Sequence, residues 1–140
     1  MDNYPRLFIR ASVVYLTLGI VLGIAMGLAP DHAGQIRFIH IHFNLMGFMT
    51  MFVAGVAYHV LPRFSGRALP WPGGVKYHFW LHNVGLVGLL SSYAIGGGYH
   101  HPGPFRVAFI LCAVMTASGM LIMAYNIFFI LSKDAPESSR

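Results

Sequence analysis

The chain has 140 residues, 56% hydrophobic and only 9% charged, with a mean hydropathy of +0.64. A soluble domain carries about 25% charged residues, so this composition excludes an ordinary water-soluble protein, and the length leaves room for one compact domain. The net charge of +5 comes from basic residues set in the gaps between apolar runs, a pattern of membrane orientation that excludes a nucleic-acid patch.

The first apolar run, about 7–29, is long enough at ~1.5 Å per residue to cross a ~30 Å hydrocarbon core. It is too long for a cleaved signal segment and is followed by further spans. Gly19, Gly23 and Gly27 stand four apart, leaving one face of bare backbone for a close helix contact, within the chain or across a homodimer. Pro30-Asp31-His32 predicts a turn with His32 solvated.

The second span, about 36–61, carries His40, His42 and His59 and is predicted to stop at Leu61-Pro62-Arg63. Burying an imidazole without a partner costs a few kcal/mol, so such groups at membrane depth are functional candidates. Residues 62–74, PRFSGRALPWPGG, predict a non-helical connector, with Trp71 and Tyr77 suited to the membrane interface. The third span, about 77–95, has His78 and His82 in its first turns. His100 and His101 fall in the glycine-rich turn 96–104 as a solvated pair. The fourth span, about 105–131, holds Met115, Met120, Met123 and Cys112. A lone cysteine excludes a disulfide framework and a thiolate metal cluster. Residues 133–140 form a polar tail.

Seven basic residues lie at the N-terminus, the second connector and the tail, against only Arg37 and Arg106 on the opposite side. Both termini are therefore expected in the cytoplasm. The predicted fold is all-α: an integral membrane four-helix bundle, with residues 1–132 as one cofactor-binding domain.

This topology sorts the histidines into two layers. His42 and His59 are 17 positions apart, about 25 Å along a straight helix, so they cannot share one metal. In the inner layer His78 and His82, at i and i+4, project from one helical face, with His59 expected at similar depth. Gly55 and Gly85 are expected to leave room beside them for something flat, such as a porphyrin. A bis-imidazole haem fits this arrangement, as does a three-imidazole copper or zinc site; the bland alternative is interfacial histidines bonding water or backbone. In the outer layer His40 and His42 point about 200° apart. His42 is deeper and shares a face with Leu45, Met46 and Met49. Arg37 and Arg106 lie on the same side and could pair with carboxylates such as haem propionates. The candidate cofactor-binding set is therefore His42, His59, His82, His78, His40, Arg37 and Arg106, with His42, His59 and His82 as candidate metal ligands. A partner for His42 could come from a second copy, from His100 or His101, or from Met115.

The four acids, Asp2, Asp31, Asp134 and Glu137, all lie outside the spans. Paired carboxylates and acid–base triads are excluded at membrane depth, so any chemistry must come from a cofactor.

His42-Phe43-Asn44-Leu45, an apolar helix, then Ala57-Tyr58-His59-Val60-Leu61-Pro62-Arg63 resembles the second helix of haem-copper oxidase subunit I. The closest flavour is that of cbb3-type oxidases and bacterial nitric oxide reductases. The resemblance covers residues 37–67. It implies that His42, with His40 the alternative, is an axial ligand of a b-type haem. The later family helices that bring the other haem ligands and the copper histidines have no counterpart in these residues. A short single-module relative that keeps haem binding is implied, in the inner membrane of a prokaryote.

The expected function is that of a membrane b-type cytochrome holding haem through histidines of the second and third helices. It would serve electron transfer with a redox partner protein, or diatomic gas binding; oxidase-like turnover is left open. A copper- or zinc-handling membrane protein, or a cofactor-free accessory subunit of a larger oxidase, are the alternatives.

Overall fold

A computed structural model describes residues 3–96 and 103–132. Helix α1 spans Tyr4–Leu28 and carries Pro5 in its first turn, where the missing N–H costs nothing because first-turn donors have no helical partner. A 3₁₀ turn, Pro30–His32, reverses the chain. Helix α2 (Ala33–His42), a π-helical segment (Phe43–Thr50) and helix α3 (Met51–Ser65) then follow without a break, as one rod from Pro30 to Ser65. Helices α4 (Gly74–Gly96) and α5 (Pro104–Ile130) complete the described fold.

Two expectations about the second span need correction. Pro62 does not end it; the helix runs through Pro62 to Ser65 and stops at Gly66, which is left-handed with φ 67°. Proline removes one backbone donor, and next to that gap Arg63 Nη1 donates to the His59 carbonyl. Glycine is what tolerates the reversal of φ at the stop. Nor is the rod uniformly α-helical, because its middle widens into π geometry directly after His42, a form found chiefly at functional sites.

α1, the Pro30–Ser65 rod and α5 are each long and apolar enough to cross a membrane. α4 has comparable length but carries Lys76, His78, His82 and Asn83 in its first turns. It is the helix with most buried positions, so it presents less surface to lipid. Large side chains such as Leu28, Leu121 and Phe128 are exposed on the outer faces, as expected where the solvent is hydrocarbon. The chain is a multi-pass, all-helical membrane protein.

Close helix approach sets the frame. A Cβ on Gly85 of α4 would come 2.7 Å from the Thr116 amide and 2.8 Å from the Cys112 carbonyl of α5. A Cβ on Gly55 of α3 would come 2.9 Å from the Pro5 carbonyl of α1. Both glycines are thus consumed by helix crossings, and the room expected beside them for a flat group is filled by backbone. Along α1, Gly19 and Gly23 receive the side chains of Asn44 and His40, whereas Gly27 meets nothing within 4 Å. Most of the glycine ridge expected to be open to a second copy is covered by the chain's own second rod. One buried cluster joins Phe8, Met51, Ala54, Tyr58 and Val75; a second joins Tyr15, Leu86, Leu89 and Leu90.

Candidate functional site

His78 and His82 lie one turn apart on the enclosed face of α4, and both are fully buried. Their rings meet edge to face with centroids 5.5 Å apart. His78 Nδ1 is 2.9 Å from the Tyr58 hydroxyl of α3, and the Phe8 ring of α1 covers His78 at 4.7 Å. His82 reaches the π segment, where its Nε2 donates to the Met46 carbonyl at 3.0 Å. A carbonyl can only accept, so His82 carries its proton on Nε2 and its Nδ1 holds a lone pair. The remaining two nitrogens, His78 Nε2 and His82 Nδ1, are buried without a hydrogen-bond partner. An orphaned buried polar atom costs about 1–3 kcal/mol, and two on adjacent rings require an explanation.

His59 does not join this pair. It is exposed on the outer face of α3, while its neighbour Tyr58 is buried and occupies the position facing His78. The reason is angular: adjacent helix residues point about 100° apart, and the face of Met51, Ala54, Gly55 and Tyr58 is the one turned inward. The expected three-imidazole layer is therefore not assembled. Among the described residues no group of three or more histidine, cysteine or acidic side chains gathers.

The outer histidines diverge as their spacing demands. His40 donates from Nδ1 to the Gly19 carbonyl of α1 at 2.9 Å and sits in the glycine groove. Asn44, one turn on, donates to the His40 carbonyl at 2.8 Å and fills the space over Gly19. His42 is half-buried on another face and donates from Nδ1 to the Phe38 carbonyl at 2.8 Å. Its Nε2 is therefore the lone-pair nitrogen. The Phe38 ring lies beneath it at 4.0 Å and itself stacks on Tyr93 of α4 at 4.1 Å, with Phe109 of α5 at 6.1 Å. Arg37 and Arg106 are both exposed. Arg37 precedes His42 by five positions, about 140° around the helix, whereas Arg106 stands one turn before Phe109, whose ring is 6.1 Å from that of Phe38. His32 is exposed; His100 and His101 lie outside the described residues.

Three polar groups that complete the interior escaped the sequence reading: Tyr58, Asn83 and Asn126. Tyr15 of α1 donates its hydroxyl proton to Asn83 Oδ1 at 2.9 Å. Asn126 of α5 is fully buried, and its Oδ1 accepts the Trp71 amide at 2.9 Å, pinning the connector. The signal was available, since Thr116, Gly119 and Asn126 repeat at helical spacing along one stripe of an otherwise apolar span.

The fold defines a multi-pass helical membrane protein. The chain is similar to the cbb3-type cytochrome c oxidase subunit CcoN1 of Stutzerimonas stutzeri, 30% identical over 112 residues, covering 62% of this chain and 23% of that protein. The similarity supports a relationship to haem-copper oxidase subunit I, of which this chain matches less than a quarter of the length. No protein-family model matches the chain, and no solved structure matches it.

Proposed function

We propose that the chain is a haem-binding membrane protein in which His42 is the axial ligand of a b-type haem. One observation carries this reading: the Nδ1 proton of His42 is tied to the Phe38 carbonyl at 2.8 Å. That bond fixes the tautomer and ring orientation, the usual second-shell arrangement of a metal-binding imidazole, and leaves Nε2 as donor to iron. The residues fit the group, since a half-buried imidazole on an aromatic platform of Phe38 and Tyr93 offers both a ligand and an apolar wall. His40, tied to the Gly19 carbonyl in the α1 groove, positions the helix instead. Arg106 is the better placed of the two arginines for a propionate. When bound, the haem supplies one-electron chemistry or a coordination site for a diatomic gas.

This reading puts the protein in the cytoplasmic membrane of a prokaryote with both termini on the cytoplasmic side. A second imidazole, supplied by another copy of the chain, would make an electron carrier, and its absence would leave room for a diatomic gas. The test is the absorption spectrum of purified protein, reduced and oxidised, with and without carbon monoxide. Soret and α bands that disappear in His42→Ala support the proposal, and a carbon monoxide shift selects gas binding over bis-histidine ligation. A colourless protein after expression with added haem precursor overturns it, as does a His42→Ala variant with unchanged spectrum and haem content.

A further inference from the structure

The buried pair in α4 is separate from the proposed haem ligand, and its chemistry differs. We propose that His78 Nε2 and His82 Nδ1 together bind one copper(I) ion. Each ring is held by its other nitrogen, His78 by the Tyr58 hydroxyl and His82 by the Met46 carbonyl. The free nitrogens, His78 Nε2 and His82 Nδ1, have no hydrogen-bond partner; among the described residues the other such buried atom is Asn126 Nδ2. Residues at i and i+4 lie one above the other on a helix, and with ring centroids 5.5 Å apart a single ion with metal–nitrogen bonds of about 2 Å can lie between them.

The surroundings select the ion. Of the four acids, Asp31 sits exposed in the 3₁₀ turn, and Asp2, Asp134 and Glu137 lie outside the described residues. Two neutral imidazoles bring no negative charge, and a buried divalent ion would keep two uncompensated charges at heavy desolvation cost. A monovalent ion that accepts low coordination and imidazole donors meets both conditions. Phe8 and Gly119 close the remaining sides with apolar atoms and backbone, which excludes water. In the binding form His78 keeps its proton on Nδ1 and donates to the Tyr58 oxygen, so that both free nitrogens present lone pairs and no proton leaves on binding.

The test uses haem-free protein in detergent, titrated anaerobically with copper(I) against a chromophoric chelator, and X-ray absorption on the silver(I)-loaded form as a redox-silent stand-in. The wild type is expected to hold one equivalent more than the His78→Gln/His82→Gln variant, with two nitrogen scatterers and no sulfur around the metal. His42→Ala is expected to keep that equivalent, since the proposal does not depend on haem. Equal equivalents in wild type and double variant overturn it, as does loss of the equivalent in His42→Ala. If the double variant fails to fold, the absorption spectrum of the wild type decides alone: a sulfur or carboxylate ligand, or no tightly bound metal, overturns the site.

Discussion

The carbonyl of Met46 accepts the Nε2 proton of His82 at 3.0 Å, and this bond ties the π segment of the second rod to the most enclosed helix of the protein. Its two ends are separated by 36 positions, and the donor ring is fully buried. Replacing His82 by Ala removes the donor, strands the carbonyl and empties a ring-sized volume. A loss of about 2–4 kcal/mol is expected, measured by thermal unfolding in detergent. A midpoint equal to wild type would show that the ring does not hold the two helices together.

The glycines sort into those that a methyl group would break and those it would not. Gly85→Ala drives Cβ against the backbone of Thr116 and Cys112, which can yield only by separating α4 from α5. A loss of about 1–3 kcal/mol is expected. Gly27→Ala meets nothing within 4 Å and removes glycine's backbone freedom, so a gain of up to about 1 kcal/mol is expected. Unfolding of the two variants side by side would show a reversed order if α4 and α5 were not in this contact.

Tyr58 and Tyr15 each place a hydroxyl on a partner in α4, at His78 Nδ1 and Asn83 Oδ1, both 2.9 Å. Each Tyr→Phe change is expected to cost about 1 kcal/mol. The two tyrosines belong to different core clusters, so the double variant should be additive within about 0.5 kcal/mol. Coupling well beyond that would mean that the clusters act as one unit.

Under the haem reading, Arg106 and Arg37 should behave differently. Arg106→Gln is expected to speed haem loss to a scavenging apoprotein several-fold, while Arg37→Gln, about 140° from His42 on its helix, leaves it near wild type. Equal rates in both variants would remove Arg106 from the site.

Both termini are expected in the cytoplasm. Single cysteines placed at Asn3 and at Arg67, in a Cys112→Ala background, should react with impermeant maleimide only after the cytoplasmic side is opened. A cysteine at Asp31 should react from the outside. The opposite labelling pattern would invert the topology.

Much of the architecture was legible in the residues, because three long apolar runs and a histidine-bearing fourth have no stable alternative to helices when the backbone must satisfy itself in lipid. The tertiary structure decided which side chains meet. Tyr58 and His59 are neighbours in sequence, yet one faces His78 and the other faces outward, since helix geometry turns them about 100° apart and packing on α1 and α4 decides which of the two faces inward. Gly55 and Gly85 looked like space for a cofactor and proved to be contact points between helices; glycine permits either use. The π segment after His42, whose Met46 carbonyl accepts a bond from the distant His82, and the passage of the helix through Pro62 to Gly66 were also hidden. Sequence alone thus determined the spans and the candidate imidazoles, while the helix crossings chose the tautomer of His82 and isolated the buried pair.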